Sequence, residues 1–94
     1  MGSAKRIRPK RLGEKLLAIR NHFDCSLLQM AEKLSGNEIK VSRTVISAYE
    51  LNDREPPLPV LLAYARLANI YVEVLIDDRL DLPKRIPAPK KLPV

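Results

Sequence analysis

Leu12, Leu16, Ile19 and Phe23 recur at i, i+4, i+7 and i+11, one apolar stripe along a helix over about 12–23. A second helix is predicted to start at Ser26. Gln29 follows three residues later, so the pair reads as a capping box, and Cys25 with Met30 fits the hydrophobic staple around it. Met30, Ala31 and Leu34 then face inward. The helix is expected to end near Leu34 or Ser35, with Gly36 or Asn37 in a left-handed conformation. Residues 36–40 read as a linker. A third helix, about 43–50, is capped by the Ser42 hydroxyl, with Val41 and Ile46 as its staple. Ile46 and Tyr49 face a core, while Arg43, Thr44, Ser47 and Ala48 point outward. Such a small, polar outer face can enter a DNA major groove without steric collision. Asn52 supplies the positive φ of the next turn. A fourth helix is predicted over 58–68, with Pro59 in its first turn and Leu61, Leu62, Ala65 and Ala68 inward. Val72–Ile76 makes a short fifth. Beyond Asp78, Pro83, Pro87, Pro89 and Pro93 exclude a long helix or a central strand and favour an extended, polyproline-II-like tail.

The chain's 94 residues suit one small all-α domain, and only 4% are aromatic, so the core rests on Leu, Ile, Val and Ala. A domain this small buries a modest fraction of its surface, and a dimer would add to its stability. No apolar run is long enough for a membrane span, and no apolar stretch follows the basic N-terminus to make a secretory leader, so a cytoplasmic setting is expected. The single Cys25 excludes an internal disulfide and fits a small buried group.

The net charge of +6 is unevenly placed. Residues 1–24 carry +5, residues 25–78 carry −3, and residues 79–94 carry +4. Two basic ends therefore flank a mildly acidic middle, and basic arms commonly bind phosphate backbones through counterion release. Enzyme chemistry has little to stand on. His22 is the one histidine and sits at the end of the first helix, with no second His or spare Cys to build a metal site. There is no Gly-rich phosphate loop. Asp77 and Asp78, being adjacent, fit a solvated helix end rather than a catalytic pair. No enzyme activity, cofactor or metal is expected.

Several segments together resemble the Cro/C1-type helix-turn-helix family, also called XRE-type regulators. They are Leu16 with Arg20; Ser26 with Met30-Ala31-Glu32-Lys33-Leu34; Val41-Ser42-Arg43 with Ile46-Ser47 and Tyr49-Glu50; Arg54-Glu55-Pro56; and Leu61-Leu62 with Ala65 and Leu67-Ala68. The likeness covers about residues 11–78. It implies a five-helix, lambda-repressor-like DNA-binding domain. In that scheme residues 1–10 form a basic arm, 11–78 the helix-turn-helix domain and 79–94 a proline-rich tail. It also implies a homodimer on a palindromic operator in double-stranded DNA, in the cytoplasm of a prokaryote or in a phage system, most simply as a repressor. By position, the third helix lies in the major groove and Arg43, Thr44, Val45, Ser47 and Ala48 face the bases. Arg43 is the candidate for a bidentate bond to guanine, and Val45 and Ala48 for a thymine methyl. Lys5, Arg6, Arg8, Lys10, Arg11, Lys40, Asn52 and Arg54 are the candidate backbone contacts. Arg20 and Glu50 occupy the positions of a structural ion pair.

The sequence departs from the family pattern in three places. Leu27 stands where a phosphate-contacting Gln is usual, Leu51 follows Glu50 where a polar residue is common, and about five residues are inserted at Gly36–Lys40. Leu27 and Leu28 pack on that linker or meet a partner chain. The competing reading is therefore a protein-interaction module or antitoxin-like accessory regulator that uses the Leu27–Leu28 surface and the tail.

Overall fold

The computed structural model describes residues 8–36 and 39–85. Five helices follow in order: α1 (Leu12–His22), α2 (Leu27–Leu34), α3 (Arg43–Glu50), α4 (Leu58–Ala68) and α5 (Val72–Ile76), with no strand among the described residues. Helix α3 packs against both α1 and α2, α4 packs against α1 and α2, and α5 against α1 and α4. Leu16, Ile19, Met30, Ile46, Tyr64 and Leu75 are fully buried where these helices meet. Each such side chain contributes about 1.5–3 kcal/mol by leaving water, so this core seats α3 on α1 and α2. The Tyr64 hydroxyl lies in this core without a hydrogen-bond partner among the described residues, and burial raises it well above its ordinary range.

The helix starts follow their local chemistry. Ser26 Oγ accepts from Gln29 N at 3.1 Å, and Gln29 Oε1 accepts from Ser26 N at 2.8 Å, completing the capping box. Cys25 and Met30 are both buried beside it. Ser42 Oγ accepts from Val45 N at 3.2 Å at the head of α3. Asn52 has φ 61°, as its place in the turn after α3 requires.

The helix exits differ from expectation. Helix α2 leaves through Ser35 in an extended conformation (φ −75°, ψ 144°), and Gly36 does not adopt a positive φ; Asn37 lies outside the described residues. Side chain and backbone make the exit instead. Val41 N donates to Ser35 Oγ at 3.2 Å, Ser35 Oγ lies 3.4 Å from Val41 O, and Gly36 N donates to Ile39 O at 2.7 Å. The inserted linker is thereby closed at its base, with Ile39 and Val41 packed against the core. Helix α1 stops at His22, one residue early, because Asp24 turns left-handed at φ 52°, and Phe23 is only half-buried. Asp and Asn tolerate that conformation better than most residues. Asn69 makes the same turn after α4.

On α4 the inner face is Val60, Leu61, Tyr64, Ala65 and Ala68; Leu62, expected inside, is 41% exposed. One face of a helix takes i, i+1, i+4, i+5 and i+8, and counted from Val60 that set excludes position 62. No described helix is long and apolar enough to cross a membrane.

Candidate nucleic-acid interface

Arg43 and Thr44 are exposed on α3, and Ser47 and Ala48 are half-buried beside them. Positions i, i+1, i+4 and i+5 form one continuous strip of a helix. Val45, assigned to the same face by resemblance, lies on the flank and packs partly against the core. Its neighbours on the inner side, Ile46 and Tyr49, set that rotation. Among the described residues Arg43 has no ion pair, so its guanidinium is available to an outside acceptor.

Two fixings hold the far end of α3. Arg20 Nε donates to Glu50 Oε2 at 2.7 Å and Arg20 Nη2 to Glu50 Oε1 at 3.0 Å, while Nη1 reaches Cys25 O at 3.0 Å. The side chains are 18% and 7% exposed, so the pair is largely out of water. This fork bonds α1, α3 and the α1–α2 turn with one planar group, which a lysine could not do. The second fixing is Gly13. A Cβ there would stand 2.5 Å from Glu50 O and 2.8 Å from Asn52 Oδ1. Only glycine lets α1 approach the end of α3 this closely.

Asn52 is a hub rather than a free surface amide. Its Oδ1 accepts from Gly13 N at 3.0 Å, its Nδ2 donates to Lys10 O at 3.1 Å, and its carbonyl accepts from Arg8 Nη2 at 3.2 Å. The start of the chain is thus carried to the end of α3. The other basic candidates divide. Arg8, Lys10, Lys40 and Arg54 are exposed. Arg11 is committed inside the protein, to Glu14, to the Asp78 and Leu80 carbonyls and to Asp81. Lys5 and Arg6 lie outside the described residues. The two leucines also part company: Leu27 packs against the core, and Leu28 stays 55% exposed. Leu51 caps α3 at 68% exposure.

Three functional positions escape a reading by pattern. Lys15 is 2% exposed, and its ammonium donates to Val74 O at 2.8 Å and Asp77 O at 2.9 Å, satisfying carbonyls at the end of α5. Burial holds this ammonium below its ordinary range. Asp77, expected as part of a solvated helix end, binds Arg79 through its carboxylate. Asp78 instead accepts Lys10 N at 2.9 Å and Arg11 N at 3.0 Å, the free donors just before α1. Leu82 beyond it packs against the core. The only sequence signal for these contacts is that donors before α1 need acceptors from somewhere.

The two N–H bonds, Lys10's first, hold the Asp78 carboxyl below the usual carboxylate range. Stability from a depressed carboxylate is fully present above its unfolded value of about 3.9 and is lost as pH falls through the lower folded value. Thermal melts taken from about pH 6 to about pH 3 are therefore expected to fall less in Asp78→Asn than in the wild type. Equal falls would disconnect Asp78 from acid unfolding.

No group of three or more His, Cys, Asp or Glu among the described residues is placed to hold a metal ion. A profile of the helix-turn-helix family HTH_3 matches residues 16–75, from the middle of α1 to α5. No curated protein matches the chain.

Proposed function

From the fact that this chain belongs to the Cro/C1-type helix-turn-helix family HTH_3, a family of DNA-binding regulators, we propose that it is a sequence-specific transcriptional repressor. It works as a cytoplasmic homodimer on a palindromic operator, with α3 in the major groove. The observation that carries this reading is the outward strip of α3. Arg43 and Thr44 stand free at its capped end, Ser47 and Ala48 are small, and Glu50 is anchored at the other end. Arg43 reads guanine through a bidentate bond, and Ala48 meets a thymine methyl. Val45 contributes only at the edge of the strip.

That strip carries one basic residue in a segment of net charge −3. Affinity must come from elsewhere, through phosphate contacts by Lys5, Arg6, Arg8, Lys10, Lys40 and Arg54. Arg11 and Asn52 support this by fastening the fold. Selection from random duplexes is expected to enrich one palindrome. No enrichment at low salt would overturn sequence-specific binding. Replacing Arg6 and Arg8 together with glutamine should weaken binding to all sequences alike. It should also make the slope of log K against log salt shallower by about 2, near 0.9 for each phosphate that is no longer neutralised. An unchanged slope removes the arm from the interface.

A second reading, a protein-interaction module, draws on the apolar groups left outside: Leu28 at 55%, Leu58 at 75% and Tyr71 at 79% exposure. An apolar interface holds its affinity as salt rises, whereas phosphate binding weakens steeply.

A further inference from the structure

The geometry points to Asp78 as a positioning residue for Arg8 of the basic arm: with Asn52 it clasps the chain at residues 8–11 and sets Arg8 at the end of α3. The inference rests on the DNA-binding reading above.

The peptide of Lys10 is gripped from both sides. Its N–H donates to Asp78 Oδ2 at 2.9 Å, and its carbonyl accepts from Asn52 Nδ2 at 3.1 Å. The next N–H, of Arg11, donates to Asp78 Oδ1 at 3.0 Å, and Arg11 Nη1 returns a bond to Asp78 O at 2.9 Å. Pro9 fixes one backbone angle between the gripped residues and Arg8. Arg8 then lies over the carbonyl of Asn52, two residues beyond the last residue of α3. Each of these bonds joins segments distant in the chain, so none is a consequence of forming α1 itself.

The exposed guanidinium of Arg8 is therefore held near one end of the recognition helix. Holding it there raises its effective concentration at the phosphates beside α3. Without the Asp78 carboxylate, residues 8–10 keep only their bonds to Asn52, and Arg8 is held less firmly. Asp78 touches no DNA in this scheme; it acts through the arm.

The test is a double-mutant cycle in the full chain. Asp78→Ala and the milder Asp78→Asn are each made with the native arm and with an arm neutralised by Arg8→Gln. Binding to a mixed-sequence duplex of about 24 base pairs is measured at about 50 mM salt, where phosphate contacts dominate. Melting curves fix a temperature at which every variant is folded. Asp78→Asn keeps one acceptor and serves if the alanine variant does not fold. The expected result is a loss of about tenfold on changing Asp78 with the native arm and less than about twofold with the neutralised arm, the non-additivity of groups acting as a unit. Equal losses in both backgrounds would show that Asp78 matters only to the fold and would overturn the clasp while leaving DNA binding intact. A wild-type chain that ignores the duplex would overturn the DNA-binding reading and the clasp with it.

Discussion

Arg20→Ala is expected to melt about 10–20 °C below the wild type, which corresponds to roughly 3 kcal/mol in a domain of this size. The loss is large because the partner stays behind. Glu50 is 7% exposed and is bonded through both oxygens to the guanidinium. Removing Arg20 leaves that carboxylate in the interior without its counter-charge and strips the Cys25 carbonyl of its donor. Arg20→Lys should recover only part of the loss, since a point charge cannot serve both oxygens and the carbonyl at once. DNA affinity should fall even where the variant is fully folded, because the end of α3 loses its tie to α1. Differential scanning calorimetry gives the first quantity and duplex titration below the melting range the second. An unchanged melting temperature would sink the structural role of the pair.

Gly13→Ala is expected to destabilise by about 2 kcal/mol, opposite in sign to the usual glycine-to-alanine change inside a helix, which gains about 1 kcal/mol. The reason is the 2.5 Å separation between the would-be Cβ and the Glu50 carbonyl oxygen. A side chain in the way could rotate aside; a helix-end carbonyl cannot. The second close atom, Asn52 Oδ1, can move only by giving up its bond from Gly13 N. Helix α1 must therefore back away from α3. Urea denaturation decides the matter: a midpoint at or above that of the wild type would show that the approach is not needed.

The two variants mark where the sequence stops being legible. Features set by neighbours a few residues apart can be read directly. The Ser26–Gln29 capping box, the Ser42 cap, the bounds of α3 and the apolar stripe of α1 all follow from local spacing. Family likeness adds the Arg20–Glu50 pair, whose two members no periodicity connects. Gly13, Lys15 and Asp78 belong to a different class. Each owes its role to a partner in another helix or turn, and nothing near it in the chain records that. Lys15 reads as a surface charge until α5 is laid over it, and Asp78 as a frayed helix end until α1 begins beside it. Leu62 shows the same limit in reverse. A leucine pair on a helix offers two rotations, and only the burial of Val60 and Tyr64 selects one. The exit of α2 fails differently: glycine permits a left-handed turn but does not require it, and the Ser35–Val41 bonds satisfy the chain without one.

Those bonds have a consequence for how the protein tolerates change. Because Ser35 and Val41 meet at the base of the inserted segment, the number of residues between them is decoupled from the aim of α3. Doubling the length of such a loop costs only about 0.6 kcal/mol in closure entropy. The segment can therefore change in length while α3 keeps its bearing, so long as Ile39 keeps its place against the core. Its length is a variable separate from the outward face of α3.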